Sequence, residues 1–314
     1  MAEPRPKIVV IGGGTGCPAV IRGLKHHPVD VTAIVTTMDN GGSSGRLRQE
    51  FSVPAVGDIR RALVALATEE ILGEFCEYRF RGKTPLKGHT LGNLMLLANS
   101  LKQGGLEEAI ERLGRLLGVK GTVLPVTLDC VDICALLEDG RTLMGETSID
   151  LRGQSSVSVE QIFLSDHASP NPMAIDALTQ ADVIVLGPGD LYTSLIPNLL
   201  VSGIASAIQA SGAKRIFVGN LATKLGETEG FKLSAFLYEV LRYSGLTDLL
   251  DAVIVDDGYV TGNSMRGNLG VVTDDDVCQK LTRQILRCNV AQYDKPWLHD
   301  PVQTAAAIMG TVNG

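Results

Sequence analysis

Residues 36–50 read TTMDNGGSSGRLRQE, and positions 39–48 gather Asp39, Asn40, Gly41, Gly42, Ser43, Ser44, Arg46 and Arg48 directly behind an apolar run. Glycines let a backbone approach a ligand closely, serine hydroxyls and main-chain N–H groups donate to phosphate oxygens, and arginine supplies charge. Together they read as an anion cradle, with Arg46 as the stronger candidate cation and Arg48 as a structural or solvated one. Upstream, Gly12, Gly13, Gly14, Thr15 and Gly16 follow another apolar run. Gly14-x-Gly16-x-x-Ala19 satisfies the spacing with which a strand–turn–helix holds a pyrophosphate on backbone amides. Two phosphate-type loops at adjacent strand ends point to a ligand carrying a diphosphate, or to two phosphorylated ligands. Asp39 falls where a dinucleotide-binding fold places the acid that reads ribose hydroxyls.

Four further stretches carry polar groups suited to the same work. In GDIRRALVAL (57–66), Asp58 either caps a helix or faces the site, where it would hold a metal or orient Arg46. Arg60 and Arg61 sit in that helix's first turn, against the dipole, a placement that an anion held nearby would explain. KGHTLGN (87–93) brings Lys87, His89, Thr90 and Asn93 to a helix start; Thr90 and Asn93 also read as plain caps. His89 stands among glycines rather than on an apolar face and reads as a ligand contact. LGPGDLYTSLIPN (186–198) surrounds Pro188 with Gly187 and Gly189 and continues with Tyr192, Thr193, Ser194 and Asn198, a polar rim. Asn220 lies past the next strand end, with Thr223, Glu227 and Thr228 following. Each stretch also has a bland reading as turn, cap or solvated loop. No Ser-His-Asp order, HExxH motif or kinase set is present, and GGGTGCPA lacks the Gly-Lys-Ser/Thr ending of a Walker A loop.

These groups need elements to hold them. KIVVI (7–11) and VDVTAIVTT (29–37) read as buried parallel strands joined by a short helix near 18–25. Helices follow over 57–70, 89–101 and 106–118. The stretches 121–127, 132–146 and 158–166 carry strand signals, with Asp139–Gly140 as a hairpin turn, and read as an antiparallel insertion over about 121–166. Strand and helix then alternate again, with strands over 181–190, 215–223 and 252–257 and helices near 197–210 and over 232–244. The expectation is an α/β fold, Rossmann-like and doubly wound. It has a mostly parallel sheet and a small antiparallel β insertion, all in one domain over 1–314. Ligands of such sheets sit at the carboxyl ends of the strands.

The chain has 314 residues, 45% hydrophobic and 20% charged, with a net charge of −7. That charge opposes binding to nucleic acid or to an anionic membrane surface. No stretch approaches the ~20 apolar residues of a membrane span, and the apolar run at 7–11 is too short for a signal segment. The six cysteines form no CxxC pair and have no histidine at metal spacing, so they read as buried free thiols. A cytoplasmic protein is expected, with neither nucleic-acid binding nor membrane insertion.

VVIGGGTG, DNGGSSGRLR, PAVGDIRRALVALA, LKGHTLGNL and LGPGDLYTSLIPNLLV resemble, in order, the motifs of the gluconeogenesis-factor family. That family comprises UDP-N-acetylglucosamine-binding regulators of cell shape within the 2-phospho-L-lactate transferase (CofD-like) superfamily. The resemblance spans residues 8 to about 230. It implies a nucleotide loop at Gly12–Gly16, an acidic strand-end residue at Asp39 and a second loop at Ser43, Ser44 and Arg46. It also implies site residues at His89, Asn93, Tyr192, Thr193, Ser194 and Asn198. A homo-oligomer, a dimer or higher, is expected from the resemblance alone.

Three positions depart from the family pattern. Asp39–Asn40 stands where the family has paired aspartates, which removes one potential Mg²⁺ ligand. Gly189–Asp190 replaces Gly-Ser, and KLSAFLYEVLRYS (232–244) lacks the usual histidines. The favoured expectation is a regulator that binds a UDP-sugar or other nucleotide, with no tightly bound cofactor. The second is a 2-phospho-L-lactate transferase-like enzyme, with Asp39 catalytic and a candidate Mg²⁺ ligand and Asp58 a second candidate. A Rossmann oxidoreductase has no use for the second anion loop.

Overall fold

The first apolar run forms a strand with no solvent-facing side once it leaves Lys7, and this sets the architecture. The computed structural model describes residues 4–102, 104–153, 157–246, 250–258 and 270–312. The first half holds β1 (Lys7–Gly12), α1 (Gly16–Leu24), β2 (Asp30–Val35), α2 (Gly42–Phe51), α3 (Gly57–Leu66), α4 (Glu70–Glu77), α5 (Leu91–Lys102) and α6 (Gly105–Leu116). Next come β3 (Thr122–Pro125), β4 (Ile133–Leu137), β5 (Thr142–Met144), α7 (Glu146–Asp150), β6 (Val159–Leu164), α8 (Pro172–Thr179) and β7 (Val183–Leu186). A π-helical turn over Leu191–Leu195 leads into α9 (Ile196–Leu200), α10 (Ile204–Ala210), β8 (Lys214–Val218) and α11 (Leu233–Ser244). Last are β9 (Ala252–Asp256), α12 (Asp275–Cys278), β10 (Ile285–Cys288) and α13 (Pro301–Val312).

The seven strands of the main sheet run β10-β9-β8-β7-β1-β2-β3, and their pairings are parallel. Alternate residues of β1 enter opposite cores. Ile8 and Val10 pack with α1, α3, α6 and α13, while Val9 and Ile11 pack with α8, α9, α10 and α11. Burial on both faces is why the strands read as unbroken apolar runs, and each such side chain contributes roughly 1.5–3 kcal/mol. The chain winds outward from β1 to β2 and β3, then restarts at β7 on the other side and proceeds to β10. The order reverses between β1 and β7, which makes the carboxyl ends of those two strands the expected ligand crevice.

Several expectations need correction. The run 121–127 supplies β3, which extends the main sheet through Thr32–Thr122 to Val35–Pro125 pairing and does not belong to the insertion. A short apolar run carries no mark that separates a parallel edge strand from an antiparallel one. The insertion proper is the β5-β4-β6 antiparallel sheet, with Gly140 at φ +83° in the expected hairpin turn. Its residues 154–156 lie outside the described residues. Most of the 36–50 stretch, from Gly42 onward, is not loop but α2, opened by the extended Gly41. The helix expected near 197–210 is broken between α9 and α10, where Gly203 takes φ +80°. Cys130 is exposed and Cys288 only partly covered, whereas Cys17, Cys76, Cys134 and Cys278 are buried thiols. Among the described residues no single helix is long and apolar enough to cross a membrane.

Candidate functional site

β1 and β2 end side by side, Gly12 opposite Val35, and the chain turns from them into α1 and α2. The resulting cavity, of about 530 Å³, is lined by Gly14, Thr15, Asp39, Gly41, Gly42, Ser43, Ser44, Asn93, Thr193 and Ser194 among the residues expected there. The backbone fits tightly at two glycines. A Cβ on Gly16 would lie 2.5 Å from the Pro188 carbonyl oxygen, and one on Gly57 would lie 2.5 Å from Ser44 Oγ and 3.1 Å from Asp39 Oδ2. Asp39 Oδ1 accepts from the Gly41 N–H at 2.7 Å, which folds the second loop around its own acid.

Asp58 does not cap α3, because Val56 holds the cap position. It lies in the first turn, where Oδ2 accepts from the Gly14 N–H at 3.1 Å and Oδ1 pairs with Arg61. Asp58 thus ties the first glycine loop to α3 and gives Arg61 a partner without a ligand. Arg60 is also structural. Its guanidinium donates to Thr90 Oγ1 at 2.7 Å and sits 3.2 Å from Glu77 Oε1.

His89 lies behind the cavity wall and does not line the cavity. Its Nδ1 is 3.0 Å from Ser43 Oγ, which accepts from Asn93 Nδ2 at 3.1 Å. The Ser43 hydroxyl has a second lone pair and a proton, so it pairs with either neutral tautomer of His89. Burial and the neighbouring Arg46 lower the His89 pKa, which favours the neutral ring. Asn93 Oδ1 is buried with no partner among the described residues, an acceptor at the cavity wall that a ligand donor or water would satisfy.

Other candidate residues act from outside. Arg46 donates to the Lys87 carbonyl at 2.6 Å, away from the cavity, and Arg48 binds Asp132 and the Val131 carbonyl. Gly13 packs its backbone on Asp58. Asn198, fully buried, donates to the carbonyls of Ser194 (2.8 Å) and Gly12 (3.3 Å), fixing the π-helical turn to the end of β1. Tyr192 is buried in the apolar core, edge-on to Phe231. Gly187, at φ +74°, packs against Phe217 and the Val218 carbonyl at the end of β8. Gly16, Gly189 and Asn220 line a neighbouring cavity of about 330 Å³, which shares Thr15, Asp190 and Lys224 with the first. Asn40 accepts from the Thr147 N–H at 2.8 Å and fastens the insertion to the end of β2.

That insertion supplies a wall absent from the sequence reading: Glu146, Thr147, Asp150 and Leu151 line the cavity, as do Thr36, Arg79 and Lys224. Lys224 Nζ is 2.6 Å from Asp190, bonds Asp150 and stands 3.8 Å from Glu227. One ammonium is thus shared among three carboxylates. Crowding raises several acids. Burial, then Asp39, pushes Glu146 up to about 7. Burial, then Glu227 and Glu146, pushes Asp190 up to about 8, although its side chain keeps 44% exposure toward the cavity. Asp58 is raised by burial against the pull of Arg61. Protons on Glu146 and Asp190 remove negative charge from a wall that also carries Arg61, Arg79 and Lys224. The cavity then tolerates an anion.

Among the described residues, no group of three or more His, Cys, Asp or Glu side chains could hold a metal ion. Asp58 is already bound by Gly14 and Arg61. The donor set fits Mg²⁺ only as an ion shared between Asp39 and phosphate oxygens of a ligand, the usual habit of Mg²⁺.

The comparisons with known proteins agree with this fold. The family model described as 2-phospho-L-lactate transferase CofD matches residues 8–291. A Nostoc sp. protein is 44% identical over 98% of this chain and 69% of its own length. The Bacillus subtilis protein named gluconeogenesis factor is 35% identical over 97% of both chains. A Bacillus halodurans crystal structure, titled as a member of the upf0052 family, superposes with a TM-score of 0.89 at 34% identity. It covers 98% of this chain and all of its own. From residue 8 to residue 291, and through relatives matched almost end to end, the chain belongs to the CofD family.

Proposed function

We propose that the chain is a nucleotide-sugar-binding regulator with UDP-N-acetylglucosamine as its ligand, acting on cell-wall precursor supply and cell shape during gluconeogenic growth. The observation that supports this most is the meeting of the α1 and α2 N-termini with Asp39 in one 530 Å³ cavity, a volume ordinary for a small-molecule site. Free N–H groups at two helix starts suit a diphosphate. Asp39 takes sugar or ribose hydroxyls, or a Mg²⁺ that rides on the phosphates and offsets their charge. Arg79 adds positive charge to the wall, while Arg61 and Lys224 offset the carboxylates they are paired with. The name carried by the Bacillus subtilis relative supports the physiological part of the reading.

The family description favours a second reading, a transferase that brings a nucleotide-activated phosphoester and an alcohol acceptor together in this cavity. A melting-temperature panel separates the two. The regulator reading expects UDP-N-acetylglucosamine to raise the melting temperature by a few degrees without Mg²⁺ and without turnover. Stabilisation by GDP with Mg²⁺, together with consumption of a deazaflavin acceptor, would establish the transferase instead.

A further inference from the structure

The crevice where strand order reverses, between β1 and β7, holds the second cavity, and the chain's single tryptophan stands in its wall. Trp297 is half-buried and lines a further hollow of about 340 Å³ as well. It is carried on residues 291–299, a hairpin closed by the Ala291–His299 bridge, by Gln292 N–H to the Leu298 carbonyl (2.9 Å) and by Gln292 Nε2 to the His299 carbonyl (3.0 Å). Asp256 Oδ1 pins its base by accepting from the N–H groups of Val290 (2.9 Å) and Ala291 (3.0 Å). The indole is thereby presented on a fixed support.

Two acceptors stand beside it. His299 is 7% exposed, and its Nε2 lies 3.2 Å from the Gly219 carbonyl oxygen. A carbonyl only accepts, so Nε2 carries the proton and Nδ1 is a bare lone pair, hydrogen-bonded to none of the described residues. Burial holds the imidazole neutral by lowering its pKa to about 4. Asn220 donates Nδ2 to the Gly189 carbonyl at 2.7 Å, which leaves its Oδ1 free to accept. A half-covered aromatic ring with two acceptors suits a flat heterocycle that offers an N–H edge. Sugar hydroxyls find better partners in the first cavity, at Asp39, Glu146 and Asp150. Thr15, Asp190 and Lys224 line both spaces, which sets the two cavities side by side.

We propose that the Trp297 cavity is the nucleobase subsite. The base stacks on the indole and gives its ring N–H, in uracil the single N3–H, to His299 Nδ1 or Asn220 Oδ1, with water on the other acceptor. The diphosphate crosses at Thr15, and the sugar end lies among Asp39 and Glu146. This rests on the nucleotide-sugar reading above and adds to it a direction of binding.

The sole tryptophan is its own reporter. UDP and UDP-N-acetylglucosamine are titrated into wild type with tryptophan emission and melting temperature read in parallel, beside pyrophosphate and N-acetylglucosamine 1-phosphate, which carry no base. Quenching by the two uridine ligands alone is expected. Trp297→Ala should weaken both by about 10-fold or more, the worth of one stack, whereas Trp297→Phe retains most of the affinity. Pyrophosphate binding by Trp297→Ala, at wild-type strength, shows that the variant is folded. Uridine ligands that stabilise Trp297→Ala as well as wild type, or equal quenching by the baseless ligands, would overturn the subsite and leave the nucleotide-sugar reading standing. Binding and quenching by GDP but not UDP would keep the subsite and remove the uridine reading. Failure of every nucleotide to bind wild type overturns both.

Discussion

Asn40 Oδ1 accepts a hydrogen bond from the Thr147 N–H at 2.8 Å, joining residues 107 positions apart in the chain. By sequence Asn40 stands for a lost carboxylate. In the fold it is the latch that holds α7, and with it Glu146 and Asp150, over the cavity. Asn40→Ala should cost about 0.5–1.5 kcal/mol in urea unfolding and reduce the ligand-induced rise in melting temperature. Asn40→Asp keeps an acceptor for Thr147 but adds charge near Asp39 and Glu146. It should therefore weaken anion binding at about pH 8 more than at about pH 6.

The crowded acids predict a pH dependence with a definite sign. An anionic ligand meets least repulsion while Glu146 and Asp190 are protonated, so its affinity should rise as pH falls from about 8.5 to about 6. Glu146→Gln should flatten that rise in a calorimetric titration. Stability follows the same protons. Burial and Asp39 raise the folded Glu146 pKa from its ordinary 4.5 to about 7, so its contribution is full below the lower value and lost as pH climbs to the higher one. Glu146→Gln should gain a few degrees of melting temperature at about pH 8 and nothing at about pH 4.

Lys224 is the shared counter-ion of Asp150, Asp190 and Glu227. Lys224→Met should destabilise by roughly 1–3 kcal/mol at about pH 8, because the three carboxylates then face one another. The loss should shrink at about pH 5, where the raised acids are protonated. Chemical denaturation at the two pH values measures the difference.

Gly57 separates binding from stability. It opens α3, and its missing Cβ leaves room for Ser44 Oγ and Asp39 Oδ2. Alanine improves helix propensity by up to about 1 kcal/mol but must push those two groups aside. Gly57→Ala should keep a melting temperature within a few degrees of wild type and lose nucleotide stabilisation.

The parts of this site that were legible in the sequence are local ones. The glycine turns after β1 and β2, the βαβ unit and the polar π-helical turn each arise from residues close in the chain, where spacing carries the geometry. Arg48 read as structural or solvated, and the first holds: it is tied to Asp132 and Val131. Asp58 looked like a cap because Asp before a helix commonly is one. Its real partners, the Gly14 amide and Arg61, became visible only once β1 and α3 were adjacent. The α2 helix was hidden by its glycines and serines, which have weak helix propensity. Glu146 and Asp150 carry no motif, and they reach the cavity only because the insertion folds back onto β2. Lys224 sat in a strand-end stretch whose neighbours were noticed, and the strand-end rule could have included it. Trp297 follows β10 in a tail without a recognisable signal, and a hairpin closure returns it to the strand ends.

The most direct measurement is the melting temperature of wild type and Asp39→Ala against UDP-N-acetylglucosamine, with and without Mg²⁺, beside GDP with Mg²⁺ and NADH. The account predicts a rise of a few degrees for wild type with UDP-N-acetylglucosamine alone, and its loss in an otherwise folded Asp39→Ala. A wild type stabilised by NADH and indifferent to UDP-N-acetylglucosamine would contradict it.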